Sequence, residues 1–104
     1  MRSPSPVIDR ELRRLGENVR NWRKISGLTA EMTAERSGVS RDTVRAIESG
    51  RPTSTENLFA VLRTLGILAD VVNASDPINN DFGSRHLART GVERVRPATA
   101  GTRT

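Results

Sequence analysis

The stretch LTAEMTAERSGVSRDTVRAIESG, residues 28–50, constrains the fold more than any other part of the chain. Ala34 lies four residues before Gly38, and Val44 and Ile47 share one face of the segment that follows. Two helices that cross over a short turn accept only a small side chain where they touch and a flexible residue where the chain reverses. The spacing therefore predicts two short helices joined by a tight turn.

The capping signals of both helices agree with this arrangement. Thr29 and Ser40 are suitable N-cap residues, and Glu31 and Asp42 follow within the first turns, near the positive ends of the helix dipoles. Gly50 provides a left-handed stop for the second helix.

With these residues placed, the stretch resembles the Xre or phage-repressor-like helix-turn-helix family. The residues that match the family pattern as they stand are Leu28, Thr29, Ala34, Gly38, Val39, Ser40, Val44, Glu48 and Gly50. The resemblance implies an all-α fold: a compact five-helix, repressor-like DNA-binding domain. It also implies an ion pair between Arg23 and Glu48, which we interpret as part of the scaffold.

Two positions depart from the family pattern. Ala30 stands where the family usually has a glutamine that touches DNA, so that contact is absent or replaced. Thr33 stands at a usual leucine position, which leaves Met32 as a candidate to fill the core.

The remaining helices are predicted from their caps and apolar spacing. Ser5 and Pro6 begin a helix that ends near Ser26, and Ser54 or Thr55 begins another that ends at Gly66. A fifth helix covers residues 67–73. The apolar positions of the two longer helices are Ile8, Leu12, Leu15, Val19 and Trp22, and Leu58, Phe59, Leu62 and Leu65. Trp22 and Phe59 are predicted to lie in the core.

These patterns divide the chain into three parts. Residues 1–5 are a flexible N-terminus, residues 6–75 form the DNA-binding domain, and residues 76–104 form a largely irregular tail interrupted by Pro and Gly. The alternative for the tail is partner binding, with residues 92–95 as an edge strand or docking segment. The tail is also faintly similar to those of small regulators encoded beside Hip-type kinase toxins, through Asp76, Pro77, Asp81, Gly83 and residues 94–96.

Composition narrows the function classes. The chain has 17 basic and 12 acidic residues, yet residues 28–50 hold three basic and four acidic ones. The prediction of DNA binding therefore depends on the helix-turn-helix motif more than on the net charge. With no cysteine and one histidine, His86, no metal, cofactor or enzyme chemistry is expected. No apolar run reaches the length of a membrane span, which favours a cytoplasmic, nucleoid-associated protein.

The segment 40–49 is the predicted recognition helix, whose N-terminal end enters the major groove. Because Val44 and Ile47 must face the core, the base-reading candidates are Arg41, Asp42, Thr43 and Arg45. Arg41 is the best candidate because an arginine fork fits the guanine edge; its alternatives are a phosphate contact and a salt bridge with Asp42 or with a neighbour of Arg45. For Arg45, contact with a base and contact with a phosphate remain alternatives. Asp42 either accepts a hydrogen bond from a cytosine or caps its own helix.

Contacts to the DNA backbone are expected from helix starts and from the loop after the recognition helix. The residues are Thr29, Ala30, Ser40 and Arg51. For the charged face of the first predicted helix, two interpretations remain: plain solvation, or contact of one or two of its residues with phosphates. The residues of this face are Arg10, Arg13, Arg14, Arg20 and Lys24.

The sequence thus predicts a transcriptional regulator, a repressor, that binds a palindromic double-stranded operator as a homodimer through its last two helices. The alternative is an antitoxin that neutralises a Hip-type kinase toxin and represses their shared operon.

Overall fold

The computed structural model describes residues 5–90, which form six α-helices and one short 3-10 helix. In chain order these are α1 (Pro6–Ile25), α2 (Ala30–Ser37), α3 (Arg41–Glu48), α4 (Thr55–Thr64), α5 (Leu68–Ala74), the 3-10 helix (Pro77–Asn79) and α6 (Asp81–His86). No strand occurs in the described range, and the predicted all-α fold is confirmed. The five predicted helices are α1 to α5, each within about two residues of its expected bounds.

Each of the first four helices begins with a hydroxyl N-cap. The Ser5, Thr29, Ser40 and Ser54 side chains accept hydrogen bonds from backbone N–H groups in the first turns of α1, α2, α3 and α4, at 3.0 to 3.1 Å. These bonds satisfy donors that have no partner inside the helix. The caps therefore fix where each short helix starts.

The turn between α2 and α3 depends on Gly38. Its φ of 71° lies in the left-handed region, and the N–H of Val39, the next residue, donates to the Ala34 carbonyl at 3.1 Å. A side chain at this backbone angle would be strained, so glycine allows α2 to stop after eight residues. The reversal predicted between these two helices is present.

The described residues belong to two compact units, one ending at Asp70 and the other beginning at Val71. The core of the first unit contains Val19, Leu28, Ala34, Val44, Ile47, Val61, Leu62 and Leu65. It joins one face each of α1, α2, α3 and α4. Packing of α1 on α3 passes through the buried Gly16, where the two helix backbones come close together.

Three large side chains predicted or considered for the core are exposed instead. Trp22 is 42% exposed, Phe59 37% and Met32 37%. Thr33 itself fills the family leucine position with no exposed surface, and its hydroxyl donates to the Thr29 carbonyl at 3.0 Å. Because that bond satisfies the only polar group of the side chain, the smaller residue stays buried and Met32 is not needed.

The second unit contains the end of α5, the 3-10 helix and α6. Asn80 caps α6, and Gly83 of α6 packs so closely on Pro77 that a Cβ there would lie 2.9 Å from the Pro77 Cα. His86 stacks on Phe82 with ring centroids 4.2 Å apart. Residues 76–90 thus contain short helices that the scattered apolar pattern did not indicate. The segment 92–95 lies outside the described residues.

Candidate nucleic-acid interface

The α3 helix has one face in the core and one in solvent. Val44 is fully buried and Ile47 is 4% exposed, whereas Arg41, Asp42 and Arg45 are exposed. This division follows from the helical period, because residues 44 and 47 are three apart and arginines 41 and 45 are four apart. The core contact therefore holds both guanidinium groups on the outer side of the helix.

The outward charges of α3 have no partner within residues 5–90. Arg41, Asp42 and Arg45 make neither a hydrogen bond nor an ion pair through their side chains there. The salt bridge between Arg41 and Asp42, considered from the sequence, is absent from this part of the chain. Both arginines can therefore direct all their donors to a ligand.

Ser40 caps α3, and Asp42 does not. The Ser40 hydroxyl accepts from the Thr43 N–H at 3.1 Å and lies 3.0 Å from the Thr43 hydroxyl. Thr43 is half-buried and lies at the edge of the exposed face. Its hydroxyl is directed at the Ser40 cap, at the start of its own helix. Within the protein, Asp42 contributes through its negative charge, which lies in the first turn of α3, near the positive end of the helix dipole.

The expected backbone-contact residues lie at two places. Thr29 is exposed and caps α2, whose first residue is the half-buried Ala30. Beyond α3, the Nε of Arg51 donates to the Ser49 hydroxyl at 3.1 Å, and that hydroxyl donates to the Arg45 carbonyl at 2.8 Å. These two hydrogen bonds tie Arg51 to the end of the recognition helix.

Arg23 and Glu48 form the ion pair that the resemblance implied. The Arg23 Nε lies 2.6 Å from Glu48 Oε2, its Nη2 lies 3.1 Å from Oε1, and its Nη1 donates to the Leu28 carbonyl at 3.0 Å. The hydrogen bond to Glu48 raises the pKa of Arg23, against the opposing effect of burial. This network ties α1 to the end of α3 and so orients the recognition helix.

Four arginines surround an open groove beside α3. The groove has a volume of about 570 Å³ and is lined by Arg20, Arg23, Arg45, Arg51, Ala30 and Glu48. Arg20 comes from α1, outside the helix pair, and the sequence did not single it out within the charged face of that helix. Its spacing of three residues from Arg23 was the available signal, because residues three apart share a helix face.

The other charges of α1 differ in their partners. Arg13 pairs with Asp9, Arg14 lies 2.8 Å from Glu11, and Arg10 lies 3.7 Å from Glu11. Arg20 and Lys24 have no side-chain partner among residues 5–90. Part of the charged face is therefore neutralised locally, whereas Lys24 and the groove-lining Arg20 are not.

A pair of short helices, the second with its outward arginines unpaired, defines a helix-turn-helix DNA-binding domain. A helix-turn-helix family model, HTH_3, matches residues 19–71, which is half of the 104-residue chain. The chain belongs to this family of Xre-like DNA-binding transcriptional regulators, and the resemblance is confirmed. A search of curated proteins gave no match. Within residues 5–90, every helix is too short or too polar to cross a lipid bilayer.

Proposed function

We propose that the protein is a sequence-specific transcriptional repressor that places α3 in the major groove of its operator. The observation that carries this proposal is the exposed, unpaired state of Arg41 and Arg45 on a helix whose opposite face is fixed in the core. A rigid mount matters because base readout requires donors at fixed positions. The site of action would be chromosomal DNA in the cytoplasm.

Within this function, the N-terminal end of α3 reads bases. Arg41 lies at the first position of the helix and can donate to both acceptors of a guanine, which discriminates against other bases by about 1–3 kcal/mol. Asp42 and Thr43 lie beside it and can select its neighbours. Contacts to phosphates come from Thr29, the Ala30 amide, Ser40 and Arg51, and these position the domain without selecting sequence.

A single domain of this size covers few base pairs, so we infer that the repressor binds as a homodimer to a palindrome. Half-exposed apolar side chains are present on both of the helices expected to form the interface. Phe59 on α4 is 37% exposed, and Val71 and Val72 on α5 are 39% and 46% exposed. Aromatic residues are enriched in the cores of such interfaces.

Selection of bound sequences from a pool of random duplex DNA tests the proposal with the full-length protein. We expect one enriched sequence with two inverted half-sites about one helical turn apart. The matched control is the double variant Arg41→Ala with Arg45→Ala, which should enrich no sequence while it keeps its helical circular dichroism spectrum. Equal enrichment by the control would contradict the assignment of α3.

The second candidate function is that of an antitoxin bound to a Hip-type kinase toxin. The observation that favours a protein partner is the second compact unit, in which Ile78 is 47% exposed and Phe82 is 66% exposed. The test is deletion of residues 76–104 in cells that also express the neighbouring gene. An antitoxin would lose its co-purifying partner, whereas a free-standing repressor would keep both its operator binding and its purification profile.

A further inference from the structure

We propose that the groove between α1 and the end of α3 holds a phosphate of the DNA backbone, and that Arg20 is a DNA-contacting residue outside the helix-turn-helix. This inference rests on the proposed DNA-binding function and adds to it a contact from the first helix. It also assigns Arg45, which the sequence left open between base and phosphate, to the phosphate.

The charge of the groove is strongly positive. Four arginines and one glutamate line it, and the glutamate is already engaged, because Glu48 accepts two hydrogen bonds from Arg23. The charges of Arg20, Arg45 and Arg51 are left without a neutralising group among the groove residues. Like charges gathered around one space repel one another, and an anion placed between them removes that cost.

The available donors identify which arginines would hold the anion. The Nε and both terminal nitrogens of Arg23 are used by Glu48 and the Leu28 carbonyl, so this side chain belongs to the wall. Arg51 uses only its Nε, on Ser49. Arg20 and Arg45 have no side-chain partner within residues 5–90. Two free guanidinium forks and the outer nitrogens of a third therefore border the groove.

The small side chain of Ala30 keeps this space open. Ala30 packs against the core and also lines the groove, where its side chain extends no further than a single methyl group. A long side chain at this position would extend from the first turn of α2 toward the same space. The groove can therefore admit a phosphodiester group from solvent.

The position of the groove favours backbone over bases. Its α3 residues are Arg45 and Glu48, in the second half of the helix, whereas Arg41 and Asp42 at the N-terminal end do not line it. In a helix-turn-helix complex the N-terminal end of the recognition helix meets the base edges, and elements beside it cross the backbone. An arginine on α1 lies on the backbone side of this arrangement.

The test compares Arg20→Ala with Arg10→Ala, because both residues are exposed arginines of α1 and only Arg20 lines the groove. The probes are a duplex of about 30 base pairs of arbitrary sequence and the duplex enriched by selection. For Arg20→Ala we expect affinity for both probes to fall by the same factor, about three- to tenfold at low salt, and the salt slope to fall in magnitude by about 0.9. Arg10→Ala should leave both unchanged, and Arg20→Lys should retain most of the slope.

Three outcomes are informative. A salt slope for Arg20→Ala equal to that of the wild type would overturn the proposed phosphate site while leaving DNA binding established. A loss of preference at one base pair, without a change in slope, would also overturn it, because Arg20 would then read a base. If selection with the wild-type protein enriched no duplex and the arbitrary duplex was not bound either, the proposed DNA-binding function itself would fail.

Discussion

Gly16 of α1 lies directly against the carbonyl oxygen of Ile47, at the end of α3. A Cβ built at Gly16 would overlap that oxygen and would also lie 2.7 Å from the Glu48 carbonyl oxygen. Both neighbours are backbone atoms, which cannot turn aside as a flexible side chain would. The absence of a side chain at residue 16 therefore sets how closely the first helix approaches the recognition helix.

We expect Gly16→Ala to destabilise the domain by about 2 kcal/mol or to prevent folding, because the overlap exceeds the gain of about 1 kcal/mol that alanine brings to a helix interior. Urea denaturation followed by circular dichroism measures the change. Gly27→Ala is the matched control: a Cβ there meets nothing within 4 Å, and only the φ of 72° costs energy, about 1 kcal/mol. A larger loss in the control would contradict the close approach.

Removal of one partner of the Arg23–Glu48 pair should be costly. Their side chains are 14% and 11% exposed, so Glu48→Met leaves a mostly buried guanidinium without its partner, and we expect a loss of about 3 kcal/mol in the free energy of unfolding. The double variant Arg23→Met with Glu48→Met should lose less than the sum of the single variants. Additive losses in the denaturation series would show that the pair is not coupled.

The contribution of Arg23 to stability should not change with pH in the ordinary range. Its pKa is raised in the folded protein by the hydrogen bond to Glu48, so its contribution is present in full below the unfolded pKa and is lost only as pH rises through the higher folded one. Both values lie above the working range. In thermal melts between about pH 6 and pH 9, we expect wild type and Arg23→Met to keep a constant difference.

Arg41→Ala and Arg51→Ala should have different effects on DNA binding. The first should relax preference at one base pair, at a cost of about 1–3 kcal/mol for the selected site and little for other sequences. The second should weaken all duplexes alike and lower the salt slope, because a phosphate contact carries no sequence information. Binding to a panel of single-base variants at two salt concentrations distinguishes them. The same profile for both variants would remove the base-reading function from Arg41.

Phe59→Asp tests the α4 surface as the dimer interface. Phe59 is 37% exposed, and a carboxylate there would be buried unpaired if two α4 helices met. We expect sedimentation equilibrium to show a shift from dimer to monomer, with the helical spectrum retained. Glu56→Ala, an exposed change in the first turn of α4, is the control and should leave the mass unchanged. A dimer that persists in Phe59→Asp would place the interface elsewhere.

The sequence predicted most of the fold because its helix ends are marked by local chemistry. Ser40 caps α3 and Gly38 ends α2 through contacts that span only a few residues, so the pattern alone locates them. The outward direction of Arg41 and Arg45 followed in the same way, from the burial of Val44 and Ile47. These features depend on the helical period and not on tertiary detail.

Apart from the Arg23–Glu48 pair, which the family resemblance implied, the features that depend on distant residues were not predicted. Trp22 lies on the apolar stripe of α1 but is 42% exposed. Its exposure could not be predicted, because helical spacing identifies the stripe and does not show how much of it the other helices cover. The close approach at Gly16 and the groove that includes Arg20 both arise from the packing of α1 on α3, which spacing within one helix does not report. An apolar pattern identifies a face and leaves its neighbours undetermined.

The hydroxyl caps and the short glycine turn also bear on how the domain forms. Its main helix contacts join elements that are at most two apart along the chain, such as α1 with α3 and α2 with α4. Chains rich in such nearby contacts fold within about microseconds to milliseconds. We therefore expect the first unit of a denatured molecule to refold faster than protein synthesis adds one amino acid, so in a newly made chain this unit is folded almost as soon as residue 70 leaves the ribosome.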